Sequence, residues 1–175
     1  MSNQYTTQNN LLLNNLLKFY KKDNNLSKIL TIINGNARES LRLIDWFVTN
    51  YAKQKFIGYD LTDNNGKTRR FKVYIDYKLK LKAYSKKRFD PFCRWDRIVI
   101  PYQNDKHIQT TIGQLNFFKW ALENKILDYI TEHLEEIEAD QAKRNSTSKK
   151  RENKKKVKTR KKRQELSCSA TKSIR

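Results

Sequence analysis

Apolar residues recur along this chain at two periods. Leu11, Leu12, Leu16, Leu17 and Phe19 follow a helical spacing and predict a first helix over about 9–21. Leu26, Ile29, Leu30 and Ile33 predict a second over about 26–34. Asn36, with Glu39 three residues on, reads as a capping pair for a third helix. That helix carries Leu43, Ile44, Phe47, Val48 and Tyr51 on one side and should be largely buried, with Trp46 and Phe47 as core rather than a ligand platform.

The period then changes to two. Lys55–Leu61 and Arg69–Tyr84 read as strands joined through Asp63-Asn64-Asn65-Gly66. In the second, Phe71, Val73, Ile75, Tyr77, Leu79, Leu81 and Ala83 alternate with Lys72, Tyr74, Asp76, Lys78, Lys80, Lys82 and Tyr84. A three-residue loop with Gly66 left-handed pairs Asp63 with Lys67, Leu61 with Arg69, Tyr59 with Phe71 and Ile57 with Val73. That register gathers the apolar residues on one face and sets Asp60 opposite Arg70. A two-residue loop would place Asp60 opposite Phe71. Arg97–Tyr102 reads as an edge strand ending at Pro101. Thr111, with Gln114 three residues later, caps a long helix whose stripe Leu115, Phe118, Leu122, Ile126, Tyr129, Ile130, Leu134 and Ile137 carries it to about 141.

These elements predict an α+β fold: a small antiparallel sheet, hairpin plus edge strand, packed with about four helices, the last of them long. The expected division is a flexible N-terminus (1–8), a compact domain (9–141) and a disordered Lys/Arg-rich tail (142–175). The tail follows from composition, because Val157, Leu166 and Ile174 are too few to offset the cost of ordering it.

Charge sharpens that division. The 175 residues carry 38 Lys+Arg against 18 Asp+Glu, a net charge of +20. Residues 143–175 hold 15 basic and 2 acidic residues, a net +13. Residues 128–140 hold six acids (Asp128, Glu132, Glu135, Glu136, Glu138 and Asp140) with no Lys or Arg. Residues 1–127 are again +13. An acidic helix therefore separates a basic body from a basic tail. Its acids crowd the C-terminal part of the long helix and oppose the helix dipole, a cost that a basic partner would lower.

The partner this distribution implies is nucleic acid, RNA or DNA. Phosphates neutralised by Lys and Arg release condensed counterions, so such runs bind polyanions at low salt. The tail offers Lys149, Lys150, Arg151, Lys154, Lys155, Lys156, Lys158, Arg160, Lys161, Lys162 and Arg163. The same run could serve as a nuclear-import signal or a solubilising tail. In the body, Lys78, Lys80 and Lys82 on the polar strand face, then Lys86, Lys87, Arg88, Arg94, Trp95 and Arg97, combine cations with aromatic surface, which suits single strands. The competing reading is a solvated sheet face. Self-association of the acidic helix with the basic tail is a second expectation. Leu127, Ile130, Leu134 and Ile137 could also form a short dimer seam, although packing on the body is the usual use of such a stripe.

Catalytic and metal chemistry finds little support. Asp60 with Asp76-Tyr77-Lys78 mimics the carboxylates and lysine of a metal-dependent nuclease. On paired strands, however, the two aspartates would stand about 20 Å apart. Cys93, Cys168, His107 and His133 lack zinc-ligand spacing, and Cys93 with His107 is a loose pair in which a small buried thiol is the simpler reading. No metal or cofactor is implied. No stretch is long and apolar enough to span a membrane, and Met1–Asn10 is unlike a signal peptide.

The segments Ser40–Tyr51, Phe89–Arg94 and Thr110–Phe118 resemble a group of uncharacterised proteins of nucleocytoplasmic large DNA viruses of the mimivirus kind. The likeness covers about residues 36–130 and leaves the Lys-rich tail without a counterpart. The 26 Lys and 17 Asn suit an A+T-rich genome. The resemblance implies a viral protein made in the host cytoplasm and placed in a replication factory or virion. It carries over no activity and no catalytic residues.

Overall fold

Apolar residues at three- and four-residue spacing become the first helices of the computed structural model, which describes residues 5–63, 65–95, 97–102 and 106–152, and side chains from 9 to 146 within those ranges. Helix α1 (Tyr5–Tyr20) begins ahead of the expected residue 9 and buries Leu16 and Tyr20. Helix α2 (Asn25–Ile33) turns Ile29, Leu30, Ile32 and Ile33 inward. It closes on Gly35, whose φ is +75°. There the Gly35 N–H donates to Ile32 O (3.1 Å) and the Asn36 N–H to Thr31 O (2.8 Å), a paired closure that needs a left-handed residue.

Asn36 is thus used to end α2, not to start α3 (Leu41–Trp46). The cap of α3 is Ser40, whose Oγ accepts the Leu43 N–H at 3.1 Å. Glu39, the other half of the expected capping pair, accepts the Thr131 hydroxyl at 2.9 Å instead. A π-helical stretch (Phe47–Tyr51) continues α3 into the short α4 (Ala52–Gln54). The wider turn keeps Phe47, Val48, Tyr51 and Ala52 together on the buried side.

Strands β1 (Gly58–Thr62) and β2 (Thr68–Lys72) pair in the register argued from the sequence: Tyr59 faces Phe71, Asp60 faces Arg70 and Leu61 faces Arg69. Gly66 has φ +78°, and the Asp63 N–H donates to Lys67 O at 3.0 Å. The Val73 N–H still reaches Ile57 O at 3.2 Å, but the ladder ends there.

From Val73 the chain is helical, which corrects the second strand expected to run to Tyr84. Helix α5 spans Val73–Phe89 with a kink at Ser85 (φ 65°, ψ 165°). Lys, Leu and Ala favour helix over strand. The positions that reach the core, Val73, Tyr77 and (beyond the kink) Phe89, are not on a period of two.

The expected edge strand forms as β3 (Arg97–Pro101), but not beside the hairpin. It pairs antiparallel with β4 (His107–Thr111) in a second two-stranded sheet. The expected long helix is three helices: α6 (Ile112–Glu123), α7 (Ile126–Glu132) and α8 (Leu134–Glu152). Thr111 caps α6 as expected, its Oγ1 accepting the Gln114 N–H at 3.1 Å. Lys125, at φ +53°, breaks α6 from α7, and His133 breaks α7 from α8. Those breaks put Asp128 in the first turn of α7 and Glu135 and Glu136 in the first turn of α8. Asp128, Glu135 and Glu136 therefore sit where the helix dipole favours them, whereas Glu132 ends α7 and keeps the expected cost. Helix α8 continues to Glu152, so 142–152, assigned to a disordered tail, are helical.

The core is aromatic at its centre. Phe89, Phe117, Trp120 and Tyr77 meet with ring centroids 5.6–6.3 Å apart, in tilted and edge-on arrangements. Such pairs contribute about 0.5–1.5 kcal/mol each beyond their burial. Gly113 in the first turn of α6 lets the end of α5 approach: a Cβ there would stand 2.9 Å from Asp90 O and 3.1 Å from Lys87 O, both backbone. Ile130, Leu134 and Ile137 are buried within the chain itself, which uses up the stripe that could have been a dimer seam.

Candidate nucleic-acid interface

Helical geometry redistributes the cations expected on one sheet face. At 100° per residue, Lys78 and Lys82 lie about 40° apart, with Ile75 about 20° and Leu79 about 60° beyond Lys82, whereas Lys80 points to the other side. Lys78 and Lys82 are exposed, as are Ile75 (53%) and Leu79 (60%). Lys86 is exposed beyond the kink. The outward face of α5 is thus a lysine ridge beside two bare aliphatic side chains. The basic residues of its last turn, Lys86, Lys87 and Arg88, are also favourably placed on the helix dipole.

The turn after α5 adds an aromatic corner. Trp95 is 52% exposed, and Lys87 Nζ lies 3.9 Å from its ring centroid. That distance is a cation–π contact and fixes an ammonium beside an accessible indole. Arg94 is exposed next to it, and Arg97 is half-buried at the start of β3. Arg88 is a different case: its Nε donates to Asn9 Oδ1 at 2.9 Å, and its own carbonyl accepts from Asn116 Nδ2 at 2.9 Å. It ties α5 to α1 and α6. Lys149, Lys150 and Arg151 fall in the last turns of α8. Lys154, Lys155, Lys156, Lys158, Arg160, Lys161, Lys162 and Arg163 lie outside the described residues.

The side of α5 opposite the lysine ridge opens a feature that the sequence did not suggest. A cleft of about 330 Å³ lies between α5, α6 and β2. Lys80, Arg69 and Lys119 line it together with Asp76, Asn116 and Glu123. Its polar groups are braced from behind. Trp120 Nε1 donates to Asp76 Oδ1 at 2.6 Å. Arg69 donates to Asn124 Oδ1 at 2.7 Å, and Asn124 Nδ2 to Trp120 O at 2.8 Å. The Tyr59 hydroxyl donates to Asn124 O at 2.7 Å. Burial, reinforced by Tyr129 and Asp128, pushes the Tyr59 hydroxyl well above the ordinary tyrosine range, so it remains a donor. Buried asparagines in a helix carry no sequence signal of their own, which is why this network was not foreseen.

The aspartates weighed as a nuclease pair are occupied separately. Asp60 pairs with Arg70 at 3.3 Å, as the hairpin register required, and Asp76 is held by Trp120 on a helix, not on a strand. Among the described residues no group of three or more His, Cys, Asp or Glu is placed to hold a metal ion. Cys93 is half-buried in the turn after α5, and His107 is exposed on β4. Among those residues no helix is long and apolar enough to cross a membrane.

No solved structure matches the chain. It is 41% identical over 143 residues to "Uncharacterized protein L507" of Acanthamoeba polyphaga mimivirus, a match covering 78% of this chain and 55% of the relative. The chain therefore spans about half the length of that viral protein. A family model matches residues 1–173, well beyond the 36–130 over which the resemblance was first legible and including the Lys-rich run. The chain belongs to that family, DUF7197, a family of unknown function.

Proposed function

We propose that the protein binds nucleic acid without catalysis, mainly through phosphate contacts and with little base readout. One observation carries this reading: the exposed lysines of α5 are followed, just past its kink, by the Lys87–Trp95 corner, which sets an ammonium beside an accessible aromatic ring. Ammonium groups there track a phosphate backbone, and the indole and the bare Ile75–Leu79 pair offer surface to unstacked bases. The Lys/Arg run of 149–163 adds affinity by counterion release. A helix, not a sheet face, presents the body's cations. The test is a salt series of single-strand binding with Lys78, Lys82 and Lys86 changed to Glu. Losing about three phosphate contacts should flatten the slope of log K against log salt by about 2. An unchanged slope contradicts a role for α5.

A second reading is favoured by the acids. Asp128, Glu132, Glu135, Glu136 and Glu138 are all exposed along α7 and α8, a negative strip on a molecule of net charge +20. In this reading the chain is a charge-block scaffold of a viral factory or virion, associating with its own copies and recruiting RNA or DNA. It requires salt-sensitive self-association in the absence of any oligonucleotide, measured by light scattering; a monomer at low salt rejects it.

A further inference from the structure

We propose that the cleft between α5 and α6 receives one unpaired nucleotide of a bound strand, its phosphate on Lys80; this rests on the nucleic-acid reading above. The argument is a balance of donors and acceptors. Three cations from three elements, Arg69 on β2, Lys80 on α5 and Lys119 on α6, face two carboxylates, Asp76 and Glu123. Arg69 is already bonded to Asn124, and Lys119 lies 3.7 Å from Glu123. Lys80 is half-buried and, among the described residues, has neither an ion pair nor a hydrogen bond. A half-buried ammonium with no partner is the group an anion would complete.

The remaining unfilled atoms are acceptors. Asp76 receives Trp120 on Oδ1, leaving Oδ2 unfilled. Asn116 donates its amide N–H to Arg88 O, leaving its amide oxygen unfilled. The matching ligand has a negative group joined to several N–H or O–H donors. A phosphate attached to a sugar and a base has that composition, whereas free phosphate or an apolar acid does not. The cleft, about 330 Å³, is at the small end of ligand sites and suits one nucleotide unit, not a base pair. Lys80 lies on the helix that carries the lysine ridge but on its opposite side, so a strand engaging both wraps around α5. A second hollow among the described residues, about 430 Å³, faces Asp23, Glu123 and Asp128 with Lys28 and Lys125 and would repel phosphate.

The experiment uses the full chain and compares a mixed-sequence single-stranded 12-mer with the blunt duplex of the same sequence, at several salt concentrations. Lys80→Met keeps the aliphatic stem, and Lys18→Met, at an exposed position of α1 outside the proposed interface, is the control. The proposal expects about tenfold preference for the single strand in the native chain and in Lys18→Met, falling to within about twofold in Lys80→Met, with the salt dependence retained. Deoxyadenosine 5′-monophosphate should also shift the Trp120 indole N–H resonance of the native chain and leave it unmoved in Lys80→Met. Equal binding of single and double strands, unaffected by Lys80→Met, with an unmoved Trp120 signal, overturns the cleft while leaving phosphate binding intact. Absence of binding to either oligonucleotide at low salt overturns both.

Discussion

Single residues fix much of this fold, and three of them make two sharp predictions. At Gly113 the end of α5 leaves no room for a side chain, because the atoms a Cβ would meet are backbone carbonyls and not flexible tips. Gly113→Ala should lower stability by about 1–3 kcal/mol despite alanine's better helix propensity. A urea midpoint equal to or above the native one would show that the α5 end gives way. The second concerns Tyr20 and Tyr59, whose hydroxyls are held above the usual value near 10, in both cases chiefly by burial. Below that value both states keep the proton and stability is complete. Above it the unfolded chain ionises first, so stability falls as pH rises through the raised folded values. The thermal midpoint should be level over about pH 7–9 and decline above about 10. A midpoint that stays level to about pH 11.5 contradicts the burial of these hydroxyls. At this scale the sequence was informative wherever the constraint was local. Asp60 opposite Arg70, the left-handed Gly66 and the Thr111 cap all follow from neighbours within a few residues. Gly113, Asn116 and Asn124 act on distant segments, and nothing beside them in the chain announces it.

The element scale is where pattern and structure part. Residues 71–83 alternate apolar and polar over seven repeats, yet only Phe71 and Lys72 belong to a strand. The alternation was partly accidental: Ile75 and Leu79 are apolar but face solvent, and the helix buries Val73 and Tyr77 instead. Helix-favouring Lys and Leu, four residues apart along one side, were the stronger signal. The long helix failed for the opposite reason. Its apolar stripe runs on through the breaks at Lys125 and His133, since Ile126, Ile130, Leu134 and Ile137 remain buried on both sides of them. Periodicity reports which side is inward, and two compensating turns leave it unaltered. The end of α4 supplies a prediction at this scale. Phe56 is left-handed (φ 53°) and 89% exposed, with the Ile57 N–H bonded to Ala52 O at 3.1 Å. This is the helix closure that α2 makes with Gly35, built on a residue that resists it. Phe56→Gly should raise stability by about 1 kcal/mol, seen as a higher urea midpoint, because it removes the left-handed penalty at little cost in burial. A lower midpoint would mean that the ring stabilises the fold in some other way.

Across the whole molecule, charge is organised more simply than structure. The +13 of residues 1–127 gathers in part on the outward face of α5 and the Lys87–Trp95 corner, while the acids of 128–138 are exposed along α7 and the start of α8. The α+β class and the blocks of charge were legible because they depend on composition and on period. The second sheet was not, because β4 carries Ile108 as its one aliphatic side chain and gains its place only by pairing with β3. The cleft was not, because it exists only once β2, α5 and α6 are assembled. The most direct test of the central claim is the affinity of the full chain for a single-stranded oligonucleotide, measured by fluorescence anisotropy as salt is raised. The account predicts tight binding in dilute buffer and a straight, steeply falling plot of log K against log salt, losing about 0.7 in slope for each phosphate engaged. No binding at the lowest salt, or an affinity indifferent to salt, would contradict it.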